Sequence, residues 1–226
     1  MATEPASNTV GTYWVRGLFA TALLLPILFI TGCQSINPLP SFGVGEATPE
    51  EAKIRKLMKW HSGRVEVYRE FRTVFTARSV YLTDEIQQLA VDWEARSKLM
   101  NPEERATFEK EILADNDQVI KILVGFYTPE EEQNNLSRED SIWIAYLKNS
   151  DGTVTRATCL DVDEDNARMY MRFLNWDLSW SKLYILCYPK SPGQHNPEDK
   201  WLTMVISGPP GQGEMKLQLE PPEYQP

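Results

Sequence analysis

Between Arg64 and Tyr81 apolar and polar positions alternate. Val65, Val67, Phe71, Phe75, Ala77 and Tyr81 share one face, and Glu66, Glu70, Arg72 and Arg78 share the other. A period of two is that of a strand. Carried through, the run would extend about 60 Å at ~3.3 Å per residue, too long for one strand of a small domain. The pattern therefore predicts a break or bulge near residues 71–73. From residue 119 onward the same reading recurs. Residues 119–127 are strongly apolar, with Ile120, Ile122, Val124 and Phe126 on one face. Further strands are expected at 142–148, 154–162, 169–174, 182–188, 201–207 and 215–219. Asn149-Ser150-Asp151-Gly152 has the composition of a tight hairpin turn. Short strands with turn signals every ~8–14 residues predict a mainly β (α+β) chain, an immunoglobulin-like β-sandwich.

The period changes to that of a helix at two places. Thr48-Pro49-Glu50-Glu51 is a capping sequence with proline at the first helical position, and Ile54, Leu57 and Met58 supply a short apolar face. This predicts a short N-terminal helix. Thr83 opens a second helical stretch bearing Ile86, Leu89, Ala90, Trp93 and Met100, which stops at Asn101-Pro102 because a residue before proline avoids the α region. Asn101-Pro102-Glu103-Glu104 restarts a helix carrying Phe108 and Ile112, and Asp115-Asn116-Asp117 ends it. Residues 83–114 are thus expected as a helical insertion within a β-sandwich domain spanning 49–220, followed by a Pro-rich tail at 221–226.

Upstream, one basic residue, Arg16, precedes an uncharged stretch from Gly17 to Ile30, broken by Pro26 and ended by Ile30-Thr31-Gly32-Cys33. About 14 apolar residues are short for a membrane span, which needs ~20. The arrangement of basic, apolar and small-residue segments is that of a secretory signal. It resembles the leader and lipobox of a bacterial lipoprotein. That resemblance implies a signal peptide at 1–32, removed by lipoprotein signal peptidase, and acylation of Cys33 as the first mature residue. Gln34, where an Asp would resemble an inner-membrane retention signal, implies the outer membrane, lipid-anchored and facing the periplasm. Two or more acyl chains hold stably, at about 0.8 kcal/mol per buried CH2. Residues 34–48, rich in Pro, Gly and Ser, read with Cys33 as a flexible tether.

The chain has 226 residues and a formal charge of −9, with pI ≈ 4.9. Such an acidic chain is a poor candidate for nucleic acid. The membrane partner is expected through the Cys33 anchor, and further partners among envelope proteins. Apart from Cys33 the cysteines are Cys159 and Cys187. An oxidising compartment would let them pair. Their strand parities disagree, however. Cys187 shares parity with Leu183 and Ile185, while Cys159 is out of phase with Val154, Leu160 and Val162, so two separate thiols are expected.

No constellation of catalytic groups emerges, and no cofactor is implied. Asp161-Val162-Asp163-Glu164-Asp165 has the alternation of a Ca2+ loop, but Asn166 and Arg172 stand where the EF-hand pattern needs Gly and Glu. It reads as a solvated turn. His61 and His195 are the only histidines, neither at zinc spacing, and no G-x-S-x-G elbow is present. Both are expected in surface loops. Trp176 and Trp180 form the most unusual cluster and are the candidate ligand residues, since tryptophans can cradle a sugar or a peptide side chain as well as plug a core. The leading expectation is a protein-binding or envelope-assembly scaffold and not an enzyme. The hairpin of 201–207 and 215–219 is the expected exposed edge. The alternatives are a module binding sugar, peptide or Ca2+ and, third, a hydrolase.

Overall fold

Thr48 closes a capping box. Its hydroxyl accepts the Glu51 N–H at 3.2 Å, and the Glu51 carboxylate accepts the Thr48 N–H at 3.1 Å. Helix α1 (Pro49–Trp60) follows with proline in its first turn and buries Ile54, Leu57 and Met58. The computed structural model describes residues 47–149, 152–161, 164–176, 179–190 and 200–220. The leader at 1–32, Cys33 with the tether up to 46, His195 and the tail at 221–226 lie outside the described residues.

Strand β1 (Ser62–Arg69) turns back into β2 (Arg72–Tyr81). Then come α2 (Asp84–Ser97), α3 (Pro102–Ile112), β3 (Val119–Tyr127), β4 (Ile144–Lys148), β5 (Val154–Arg156), β6 (Cys159–Asp161), α4 (Glu164–Met171), β7 (Lys182–Pro189), β8 (Trp201–Gly208) and β9 (Gly211–Gln218). The described chain is mostly β, with four helices. All strand pairs are antiparallel, and they form one sheet in the order β1-β2-β3-β7-β6 and another in the order β5-β4-β8-β9.

Two apolar layers hold these elements. Between the sheets lie Phe75, Ile122, Phe126 and Leu186 from one sheet and Leu147, Met204, Ile206 and Leu217 from the other. Phe75, Phe126 and Trp143 form an aromatic triangle with centroids 5.2–5.6 Å apart. On the far face of the five-stranded sheet, Val80, Leu123 and Ile185 meet Ile54 and Met58 of α1, Ile86 and Ala90 of α2, and Ala167 and Tyr170 of α4. The five-stranded sheet is therefore covered on both faces, which is why β3 and β7 read as nearly continuous apolar runs.

The two sheets are joined at both margins. At one, the chain passes from β5 in one sheet to β6 in the other through Ala157 and Thr158. At the other, β1 lies against β9. A Cβ on Gly213 would fall 2.7 Å from Val65 Cγ2, and one on Gly63 would fall 3.1 Å from the Lys216 carbonyl oxygen. The missing side chains permit this approach. Where β1 begins, Trp60 Nε1 donates to the Glu220 carbonyl at 2.7 Å, and His61 Nδ1 contacts the Gln218 carbonyl.

Several expectations are corrected. The break in the first alternating run is a full reversal. Arg69 pairs with Arg72, the register slips between Val67 and Tyr68, and Glu70 and Phe71 take φ of 50° and 66°. Phe71, expected with the apolar face, is fully exposed at this tip. Residues 169–174 are not a strand. Ala167, Tyr170 and Phe173 recur every three residues and bury one side of α4 and of the turn after it. Where one strand was expected at 154–162, β5 and β6 are separate strands in different sheets. Of the expected edge hairpin, β8 is internal, between β4 and β9, while β9 is the edge strand of the four-stranded sheet and packs against β1 of the other.

The cysteine reading is corrected as well, since Cys187 is disulfide-bonded. The β6–β7 register sets Cys159 directly opposite Cys187, and the chain's third cysteine is Cys33. The parity argument failed for two reasons. It ran one strand through the crossing between sheets, and it allowed the five-stranded sheet only one buried face. Cys187 lies on the same face as Ile185, under the helices.

Candidate functional site

The apolar stripe of α1 must face the sheet, and this places its cations. Arg55, Lys56 and Lys59, spaced three and four apart, stand exposed beside the buried Met58. The helix hands over to β1 through Ser62, whose hydroxyl donates to the Lys59 carbonyl at 2.7 Å. On β1 and β2 the helix-side parity belongs to Arg64 and Arg78. They are paired directly across the ladder. Like charges directly opposite are unfavourable in a sheet.

The fourth wall is the chain that follows α4. Arg172 lays its guanidinium 3.3 Å from the Trp93 ring centroid, pairs with Glu51 at 3.5 Å, and accepts a hydrogen bond from Arg55 at its carbonyl, 3.2 Å. Phe173 packs edge-on against Trp93 at 5.7 Å. These groups enclose a cleft of about 860 Å³, within the ~300–1,000 Å³ range of ligand sites. Its walls carry Arg55, Lys56, Lys59, Arg64, Arg78 and Arg172, with apolar surface from Met58, Val80, Phe173 and Trp176. No carboxylate is among the described lining residues. Among the described residues, Arg172 pairs with Glu51 and Arg64 with Glu66. Arginine forks suit phosphate and carboxylate, and the apolar floor suits the body that carries them.

Of the two tryptophans expected at a site, Trp176 is half-buried and lines this cleft, whereas Trp180 is 79% exposed and does not. The structure does not join them in one cradle. His61 is not a surface loop residue. It is 2% exposed, stacks edge-on against Tyr81 at 6.0 Å, and burial lowers its pKa. The neutral ring donates from Nδ1 to Gln218 and serves packing. The alternating acids at 161–165 straddle a strand end and a helix start, since Asp161 ends β6 and Glu164 opens α4. Residues 162 and 163 and the side chains of this run lie outside what is described. Among the described residues no three His, Cys, Asp or Glu side chains are grouped to hold a metal, and no helix is long and apolar enough to cross a membrane.

Sequence reasoning missed the six cations. The signal was present in the basic face of α1 and in the shared parity of Arg64 and Arg78, but nothing local joins them to Arg172. No protein-family model matches the chain, and neither a curated protein nor a solved structure matches it.

Proposed function

We propose that this chain is a lipid-anchored protein of the outer membrane, facing the periplasm from an acylated Cys33, and that its domain binds an anionic ligand in the cleft between α1, the β1–β2 hairpin and the segment after α4. The single observation that carries the ligand reading is the cleft itself, six cations over an apolar floor in a chain of net charge −9. The disulfide at Cys187 supports an oxidising compartment. In this reading the protein is a binder and not a catalyst. The immunoglobulin-like sandwich belongs to the same proposal, supported by two antiparallel sheets around an aromatic core.

The test titrates the protein with galacturonic acid and glucose 6-phosphate, with glucose as the neutral control, following tryptophan fluorescence and melting temperature. Saturable binding of the acids alone, lost in Arg55→Glu/Lys59→Glu, supports the reading. Equal responses to glucose, or none to either acid, overturn it. For the anchor, fatty-acid labelling must disappear in Cys33→Ser.

A second reading, an envelope-assembly scaffold, draws on the β1–β2 tip. Phe71 is fully exposed, Tyr68 is 60% exposed, and both turn residues hold positive φ. Such backbone costs ~1–3 kcal/mol per residue and tends to collect at functional sites. Protein crosslinks that vanish in Phe71→Asp would favour it.

A further inference from the structure

The β1–β2 hairpin outruns both sheets. The β8–β9 hairpin reaches it only as far as Val67 and Val74, where a Cβ on Gly211 would fall 3.1 Å from Val67 Cγ1 and 3.4 Å from Val74 Cγ1. Within its own sheet the β2–β3 ladder starts at Thr76, opposite Tyr127, and the Thr128 hydroxyl makes a last tie by donating to the Val74 carbonyl at 3.0 Å. Residues 68–73 therefore stand clear as a two-stranded finger. Its three steps past Val67 and Val74 carry the tip about 10 Å outward at ~3.3 Å per residue. Residues 68–72 are all exposed.

The chemistry of the finger is layered. Phe71, fully exposed, is at the tip. One step behind, Arg69 and Arg72 are paired directly across the ladder, a like-charge juxtaposition that is unfavourable in a sheet. Among the described residues neither guanidinium has an ion pair. Tyr68 comes next, 60% exposed, and its hydroxyl donates to Glu66 at 2.8 Å, toward the body of the hairpin. Glu70 is the one carboxylate among residues 68–72, so the finger is net positive in a chain of charge −9. Glu70 and Phe71 both hold positive φ. Hairpins meet that demand at low cost with Asn-Gly, and for a bulky aromatic residue it is an outlier.

We propose that this finger dips into the same phospholipid bilayer that holds Cys33, a second contact that orients the domain on the membrane. The proposal rests on the lipid-anchor reading, which puts a bilayer within reach. Fifteen residues separate Cys33 from Thr48, so at ~3.3–3.6 Å per residue α1 starts no farther than about 50 Å from the acylated cysteine. Interfacial elements sink their apolar side chains ~5–10 Å, to the boundary of headgroups and acyl chains, and the reach of the finger matches that depth. Phe71 then enters the apolar boundary, and Tyr68 lies at headgroup level, as tyrosines do at membrane interfaces. The two guanidiniums meet anionic headgroups, which relieves their mutual repulsion. The order along the finger, apolar first and cationic next, mirrors the order of a bilayer from acyl chain to headgroup. This favours a bilayer over a protein partner.

The experiment takes the chain purified from membranes and reconstitutes it into vesicles of phosphatidylethanolamine with phosphatidylglycerol, and separately into phosphatidylcholine alone. A nitrobenzoxadiazole label is placed on Glu70→Cys, with the unsubstituted chain labelled in parallel as background. The proposal expects blue-shifted emission in the anionic vesicles, quenched by lipids spin-labelled near the headgroup. Adding Phe71→Asp should abolish both signals at an unchanged melting temperature, since that side chain is fully exposed. Adding Arg69→Gln/Arg72→Gln should lower the ratio of inserted to free tip about thirtyfold on anionic vesicles, at about fivefold per Arg, and leave it unchanged on phosphatidylcholine. Co-sedimentation with water-like emission overturns the finger and leaves the anchor standing. A chain that is neither acylated nor sedimented overturns both. Signals that survive Phe71→Asp overturn the finger. So do protein crosslinks that vanish in Phe71→Asp while the label on vesicles stays water-like, and these give the tip to the scaffold reading.

Discussion

The five-stranded sheet has two buried faces, and they are built differently. The face toward the other sheet is closed by interlocking side chains from β-strands, with the Phe75, Phe126 and Trp143 triangle at its centre. The face toward the helices is closed where α1, α2, α3 and α4 pack on it. Helices are cylinders, and their gaps are lined by whichever residues flank each apolar stripe. Beside α1 and the segment after α4 those residues are Arg and Lys, whereas beside the start of α2 they are Asp and Glu. If the cleft binds as proposed, stability is concentrated in the inter-sheet layer and binding in the helical layer, and changes in the two should be separable.

The largest effect is expected from Phe126→Ala. Phe126 is completely buried, and truncation of such a ring costs about 3–5 kcal/mol through lost burial and the cavity left behind. Denaturant unfolding should show that loss, with ligand affinity of the remaining folded protein unchanged; a loss below about 1 kcal/mol would break the contrast between the layers. Next comes Cys187→Ser. Cys187 is disulfide-bonded, and losing a native disulfide typically costs about 2–4 kcal/mol. Reductant should lower the melting temperature of the wild type and leave the variant unmoved.

A smaller effect is tied to pH. Burial lowers the pKa of His61 in the folded state, so between that value and the unfolded value near 6.5 the unfolded chain binds the proton more readily. The contribution is fully present above about pH 6.5 and is lost as pH falls toward the folded pKa. His61→Gln keeps a donor for the Gln218 carbonyl without the titration. The melting temperature of the wild type should therefore fall more than that of the variant between pH 7 and 5, and parallel curves would refute this. Least of all, Arg55→Glu/Lys59→Glu should change stability by under about 0.5 kcal/mol, as exposed positions do, while abolishing binding of the acidic sugars. Unfolding of that variant would mean that the helical layer depends on these cations for its packing.

Local chemistry made much of the fold legible. Thr48, Thr83 and Asn101 cap the three helices expected from them, because a side-chain oxygen within three residues of a free backbone N–H needs no tertiary partner. The alternation of Val65, Val67, Phe75 and Ala77 names the inward face of the first hairpin, although it placed Phe71 there too. A single residue in a two-residue turn escapes the period of the strands around it.

By itself, then, the sequence determined where three of the four helices start, most of the strand runs, and an acidic, mainly β chain. The tertiary structure alone decided the rest: that β5 and β6 belong to different sheets, that Cys159 stands opposite the disulfide-bonded Cys187 in the β6–β7 ladder, that residues 169–171 are helical, that His61 is buried, and that cations from residues 55–59, 64, 78 and 172 wall one cleft. The physical reason is the same throughout. Caps and periods are set by neighbours a few residues apart. Which of a sheet's two faces receives the helices, and which side chains are left lining the gaps between them, depends on contacts more than a hundred residues apart, such as Arg55 with the Arg172 carbonyl.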